Sequence, residues 1–176
     1  MENESIVLGG GCFWCTEAVF MMLKGIMSVE PGYAGGHTTH PTYEEVTGGN
    51  TGHIEVIKIE YHPDLLSFEE ILHVFFETHD PTTPNQQGND MGPQYQSAIF
   101  YTNERQKEKS EHYISILSKG AYNKPIVTKI LPLKTFYIAE NYHKNYYAKN
   151  SSAGYCQLVI APKVDTVEKK FRHLLK

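Results

Sequence analysis

Gly9-Gly10-Gly11-Cys12-Phe13-Trp14-Cys15 places a thiol directly after three glycines and beside two aromatic rings. Glycines carry no Cβ, so the backbone can turn sharply there and come close to a ligand. Ser5-Ile6-Val7-Leu8 upstream reads as a short strand, and the residues after Cys12 open a helical pattern. A cysteine at such a junction lies among unpaired N–H groups at the positive end of a helix dipole, which favours its thiolate. The thiolate is the nucleophile, so Cys12 reads as a reactive cysteine suited to redox or acyl-transfer chemistry. Cys15 completes a C-x-x-C pair, a spacing shared by thiol-disulfide couples and zinc knuckles. Zinc would need two more ligands, and only Cys156 remains among the thiols, with His37 and His40 in loop-like text. No metal is expected.

A second candidate stands on a strand. From His53 to His62 the odd positions are Glu55, Ile57, Ile59 and Tyr61, and the even ones end in Lys58, Glu60 and His62. Period-two alternation makes the odd face the buried one. Glu55 then points inward with the isoleucines, and a carboxyl in such surroundings keeps its proton because desolvation disfavours the charged form. Tyrosines, 12 in number, supply hydroxyl donors from Pro-, Gly- and Asn-rich text, although most read as amphipathic packing residues.

These residues need elements to hold them. Val19, Met22 and Leu23 give the helix after Cys12 its spacing, and Gly25 ends it. Ile26 to Tyr33 reads as a strand broken at Pro31-Gly32, followed by a polar loop from Ala34 to Gly52. Ser67-Phe68-Glu69-Glu70 is a capping box ahead of Ile71, Leu72, Phe75 and Phe76. Thr78 to Pro93 is irregular, Gln96 to Thr102 a strand, and Asn103 opens an exposed helix reaching Gly120. Ile126 to Leu131 reads as a strand, Ala139 to Ala148 as a short helix, Leu158-Val159-Ile160 as strand-like, and Val164 as the start of a basic helix. Interleaved strands and helices give a mixed α/β or α+β class, and their order suits a ferredoxin-like split βαβ core with long inserted loops.

At 176 residues the chain suits a single catalytic domain, 1–176, with a core that needs no disulfides. A net charge of −4 gives no reason to expect nucleic acid or an anionic membrane as partner, and no apolar run approaches the roughly 20 residues of a membrane span. The acidic Met1-Glu2-Asn3-Glu4 does not resemble a secretory leader, and three cysteines read as reduced thiols, so the expected location is cytoplasmic.

Taken in order, several segments resemble the peptide methionine sulfoxide reductase A family: Gly11-Cys12-Phe13-Trp14, Gly32-Tyr33-Ala34-Gly35-Gly36, Pro41-Thr42-Tyr43-Glu44-Glu45-Val46 and Thr51-Gly52-His53-Ile54-Glu55. The likeness continues through His79-Asp80-Pro81, Gln87-Gly88-Asn89-Asp90, Tyr95-Gln96-Ser97-Ala98-Ile99 and Ala139-Glu140-Asn141-Tyr142-His143. The resemblance implies an α/β sandwich on the ferredoxin-like core. It implies reduction of the S epimer of methionine sulfoxide, free or in proteins, as repair of oxidative damage. Cys12 falls on the family's nucleophile and Glu55 on its acid at the sulfoxide oxygen. Tyr43, Tyr95 and Asp90 fall on oxygen-binding and supporting positions, and Phe13 and Trp14 on the pocket for the S-methyl group.

The resemblance also implies a Cys12 sulfenic acid regenerated by thiols, with no bound cofactor and with thioredoxin or dithiothreitol as external reductant. Many members end in a Gly-rich tail with one or two recycling cysteines. Here the single late Cys156 is followed by apolar text, so a two-cysteine tail relay is excluded. Cys156 is favoured as the resolving thiol over Cys15 because the family places its first recycling cysteine in such a segment. A monomer is expected. Two other readings compete: a thiol-disulfide oxidoreductase using Cys12 and Cys15, which leaves Glu55, Tyr43 and Tyr95 without a use, and a non-catalytic methionine-binding module.

Overall fold

The computed structural model covers residues 1–176. Its first half runs β1 (Glu4–Gly10), α1 (Phe13–Phe20), β2 (Ile26–Ala34), α2 (Tyr43–Thr47), β3 (Ile54–Tyr61) and α3 (Phe68–Glu77). A small hairpin of β4 (Gln86–Gln87) and β5 (Asp90–Met91) precedes β6 (Ser97–Tyr101) and α4 (Glu104–Leu117). The chain ends with β7 (Lys129–Pro132), β8 (Phe136–Ile138), α5 (Tyr146–Lys149) and α6 (Ala161–Lys170).

Six strands form one sheet in the order β7-β6-β1-β3-β2-β8. The central four, β6-β1-β3-β2, are antiparallel throughout. With α1 joining β1 to β2 and α3 standing between β3 and β6, they make the expected split βαβ core. The alternation along β3 holds: Glu55, Ile57, Ile59 and Tyr61 lie buried on one side, while Lys58 and Glu60 are exposed. Ile6, Leu8, Ile57, Ile59 and Ile99 pack in the main core with Phe20, Phe75 and Leu72 from the helices. The opposite face buries a smaller cluster, Val7, Ile54, Val56, Ala98 and Phe100, under Leu133 and Phe136.

Four expectations change. Pro31 does not break β2. It pairs with Ile57, and its carbonyl turns to the other side, accepting the Ala139 N–H at 2.9 Å. The missing proline N–H therefore faces the side where β8 has already ended, and no ladder bond is lost. Next to it Gly32 is required by close approach, because a Cβ would collide with the Phe136 ring and the Tyr137 carbonyl. Within the loop expected from Ala34 to Gly52, Thr42 and Glu45 form a reciprocal capping box that starts α2. The helix expected over Ala139–Ala148 is split into a 3₁₀ turn at Asn141–His143 and α5, because Asn145 adopts φ 56° between them. Finally, Leu158-Val159-Ile160 is not strand-like. Cys156–Ile160 is a π-helical turn running straight into α6, the wider turn lying just ahead of Pro162, which has no N–H for the helical ladder. Cys156, Ile160, Val167 and Phe171 are the buried positions, a helical rather than a period-two spacing.

Candidate active site

Gly11 sets the entry to the site. Its φ of +93° suits glycine, and a Cβ there would overlap the Gln87 side chain. That turn lifts the chain from β1 so that Cys12 becomes the residue capping α1, 7 % exposed. The register that pairs Leu8 with Ile57 brings this end of β1 beside the start of β3, where Glu55 stands. Phe13 N–H donates to Glu55 Oε1 at 3.2 Å, tying the carboxyl to the residue next to the thiol. Glu55 is 1 % exposed, and its Oε2 has no protein partner. Burial pushes its pKa up to about 8, opposed by the Phe13 N–H and reinforced by the negative charge of Asp90. It is therefore a neutral acid around pH 7, with one oxygen uncommitted.

Cys12 and Cys15 lie one turn apart in one buried cluster, with Cys15 N–H donating to the Cys12 carbonyl at 3.1 Å. The resting thiolate expected for Cys12 gives way to a resting thiol. Burial, the neighbouring Cys15 and the charge of Glu55 push Cys12 well above the usual thiol range, outweighing the helix N-terminus. Cys15 goes the other way, to about 7: the neighbouring Cys12 and the charge of Lys163 favour its thiolate against its own burial. Tyr155 O–H donates to Asp90 Oδ2 at 2.6 Å and lies 3.6 Å from Cys15 Sγ. Asp90 thus reaches the thiols through Tyr155.

Tyr43 and Tyr95 are half-buried phenols pushed above the usual tyrosine range by burial and by the charges of Glu55 and Cys12, so both remain donors. Phe13 and Trp14 form one wall. Phe13 packs against Tyr33 at 5.7 Å and Tyr43 at 6.4 Å between ring centroids. Trp14 stacks on Tyr146 at 3.7 Å with 6° between the planes, and its Nε1–H donates to His143 Nδ1 at 3.0 Å. That bond places the imidazole proton on Nε2, which is buried without a protein partner.

The structure thus gathers Cys12, Glu55, Tyr43, Tyr95, Phe13 and Trp14, with Asp90 one hydroxyl away. His143, Tyr146 and Tyr155 are wall residues with no marked periodicity of their own, and only the run Ala139–His143 hinted at one of them. Glu140 from the same run accepts the Tyr33 hydroxyl at 2.9 Å and the Tyr43 N–H at 3.0 Å, fixing α2 to the wall. Cys156 is fully buried in one apolar cluster with Cys12, Cys15 and Ile160. A cleft of 590 Å³ opens over Cys12 and Cys15, bounded by Asp90, Tyr155, Val159 and Lys163 and by Leu158, which is 81 % exposed. A larger cleft of 670 Å³ beside His79 and Lys124 is lined by no cysteine. No group of three or more His, Cys, Asp or Glu side chains is placed to hold a metal ion, and no helix is long and apolar enough to cross a membrane.

Known proteins match this arrangement over nearly its whole length. The family model for peptide methionine sulfoxide reductase matches residues 4–175. Peptide methionine sulfoxide reductase MsrA of Acinetobacter baumannii is 52% identical over 173 residues, 98% of this chain and 99% of that one. The protein of that name from Thermus thermophilus is 51% identical over 176 residues, 100% of this chain and 99% of that one. Among solved structures, reduced Mxr1 from Saccharomyces cerevisiae aligns with a TM-score of 0.81 at 33% identity, over 88% of this chain and 90% of that one. Methionine sulfoxide reductase A of Corynebacterium diphtheriae aligns at 0.75 and 36%, over 86% and 76%. The chain belongs to the peptide methionine sulfoxide reductase family, oxidoreductases that return methionine sulfoxide to methionine.

Proposed function

We propose that this protein reduces the S epimer of methionine sulfoxide, free or in proteins, with Cys12 as nucleophile and Glu55 as general acid. The observation that carries this reading is the uncommitted, protonated Glu55 oxygen beside the Cys12 turn, flanked by two phenols. A sulfoxide oxygen leaves sulfur poorly unless it is protonated, so attack by a thiol needs an acid on that oxygen. Tyr43 and Tyr95 hold the oxygen, Phe13 and Trp14 enclose the methyl group, and Asp90 steadies Tyr155 beside the thiols. The aromatic wall fixes the methyl group and the two phenols fix the oxygen, so with attack from the Cys12 side only one epimer presents its sulfur correctly.

The Cys12 sulfur forms a transient S–S bond to the sulfoxide sulfur, its proton passing to the Cys15 thiolate packed beside it, and Glu55 gives its own proton to the oxygen. The hydroxyl then passes from the substrate sulfur to Cys12 as the S–S bond breaks, moving two electrons from the Cys12 sulfur to the substrate. Methionine leaves, Cys12 carries a sulfenic acid, and the Cys15 proton returns to the Glu55 carboxylate through the site. Cys15 then condenses with the sulfenic acid, releasing water and forming a Cys12–Cys15 disulfide. Its contact with Cys12 and its low pKa support it ahead of Cys156, which is fully buried and meets Cys12 across the same cluster. A helix-turn separation lies within disulfide range.

The disulfide calls for an external dithiol, for which we propose thioredoxin, with dithiothreitol serving in its place in solution. Yeast Mxr1 has been solved in complex with Trx2. Three free thiols fit a reducing compartment, and we place the protein in the cytoplasm, acting as a monomer since every group named lies on one chain. The test uses resolved S and R epimers of N-acetyl methionine sulfoxide with dithiothreitol, monitoring methionine release. Consumption of S alone, lost in Cys12→Ser, is expected; release from R at an equal rate, or retained turnover in Cys12→Ser, overturns the assignment.

A further inference from the structure

Glu17 is a carboxylate with 1 % exposure on α1, three residues after Trp14, and no step of the sulfoxide chemistry uses it. A buried charge persists only where partners hold it. The nearest cation is not its partner, because Lys144 Nζ is bonded to Glu30 at 2.6 Å. Glu17 instead accepts the Asn145 N–H, at the opening of α5, at 3.1 Å on Oε2. It is a donor that a helix start cannot satisfy internally. Asn145 stands there in the left-handed region, at φ 56°, so the chain reverses direction at the point Glu17 grips.

What that reversal delivers is the frame around Trp14. The turn before it presents His143, which takes the indole N–H at 3.0 Å, and α5 presents Tyr146, which stacks on the indole at 3.7 Å. The segment Glu140–Lys149 thus touches Trp14 at an edge and a face, and is fastened back to the helix that carries Trp14. We propose that Glu17 is a positioning residue that sets the indole plane, and with it the depth of the methyl pocket, by holding the Asn145 N–H at the opening of α5. The proposal rests on the reading of Trp14 as a pocket wall.

Trp14 is the only tryptophan of the chain, so its emission reports this frame directly. Glu17→Gln keeps the shape but replaces the acceptor of the Asn145 N–H by a neutral amide oxygen, a weaker one. It should red-shift Trp14 emission, make it easier to quench with acrylamide, and raise KM for N-acetyl methionine sulfoxide ~3- to 30-fold with kcat within about twofold, the scale of one weakened charge-assisted hydrogen bond. Tyr146→Leu removes the stack, and its effect on KM should not multiply with that of Glu17→Gln if both act on one indole. Wild-type emission and KM in Glu17→Gln overturn the clamp, as does a fall in kcat at constant KM, or a multiplicative double variant. Should Glu17→Gln fold poorly by circular dichroism, Asn145→Gly, which relieves the left-handed residue while retaining the N–H, must keep wild-type emission and KM; a loss there makes backbone strain rather than the carboxylate the cause. Trp14→Phe with unchanged KM sinks the pocket reading alone, leaving the emission result to judge the clamp.

Discussion

The two sides of this site are built differently. Cys12, Phe13 and Glu55 stand where β1, α1 and β3 meet, inside a sheet whose central strands are paired on both sides and buried on both faces. The segment from Ala139 to Ile160 that closes the other side consists of a 3₁₀ turn, a four-residue helix and a π-helical turn, none of which would be stable alone. It is held by a few polar contacts: Glu140 to Tyr33 and Tyr43, His143 to Trp14, Glu17 to Asn145, and Tyr155 to Asp90. Groups that exchange bonds, Cys15 among them, lie on the part built into the sheet and α1, and groups that frame the pocket from outside lie on the part held by local contacts. Breaking the first side should cost chemistry and recycling, and breaking the second should cost binding.

The largest effect is expected at Glu55. Glu55→Gln keeps a hydrogen bond to the oxygen but cannot deliver a proton, so single-turnover methionine release should fall ~10²- to 10⁴-fold, the usual worth of a general acid, with substrate affinity nearly unchanged. In the wild type the same step should slow as pH rises through about 8, where the acid loses its proton. Stability should be tied to the same proton. Because the folded pKa lies above the ordinary carboxylate value, the stability tied to protonated Glu55 is complete below that value and is lost as pH rises towards and through 8, with an upper bound of ~5 kcal/mol. Glu55→Gln should therefore melt higher than wild type at pH 8 and show little difference at pH 4. Chemistry at the wild-type rate in the variant would move the acid role elsewhere.

Next come the phenols. Tyr43→Phe and Tyr95→Phe should each slow the same step ~3- to 30-fold, on the scale of one hydrogen bond to developing charge, since the second hydroxyl still reaches the oxygen. The double variant should lose more than the product of the two. Simple multiplication in single-turnover measurements would mean that the hydroxyls do not share one oxygen.

How far the sequence reveals this division rests on the same physics. The rigid side is regular, and regular structure writes periodicity: the alternation at β3 points Glu55 inward, and the glycine turn before Cys12 announces a thiol at a helix start. The Cys12 protonation state was not readable, because it depends on the burial and neighbours that only the folded site supplies. The closing side is irregular, so its aromatics carry no period. Asn145 at positive φ breaks what reads as one helix, and the apolar run after Cys156 fits a strand as well as a helix until Pro162 and the buried spacing to Val167 decide it. At α2 the Thr42–Glu45 capping box is plain in the text, but only Val46 is fully buried behind it, too little apolar pattern to mark a helix.

On the closing side, Glu140→Gln weakens the hold on the Tyr33 hydroxyl and the Tyr43 N–H together. KM should rise a few-fold, about the effect of one charge-assisted bond, and kcat should change less than in Tyr43→Phe. An unchanged KM with a lowered kcat would place Glu140 with the chemistry and blur the division between the two sides.

The smallest effect on the first turnover, and the sharpest test of the closing side, concerns Cys156. No step before the disulfide uses its thiol, so Cys156→Ser should release the first methionine at the wild-type rate. The recycling step separates the thiols. One equivalent of sulfoxide added to reduced protein should remove two thiols in both wild type and Cys156→Ser if Cys15 condenses with the sulfenic acid. It should remove only one in Cys15→Ser unless Cys156 can reach Cys12. That reach requires the π-helical turn to open, because Cys156 is fully buried at its first residue and Ile160, at its end, is anchored in the same cluster. Opening a short, irregular turn is a low-cost local event, so a slow second thiol loss in Cys15→Ser, faster at higher temperature, would show the closing side moving as a unit. Loss of only one thiol in Cys156→Ser would reverse the order and make the buried cysteine the first to respond.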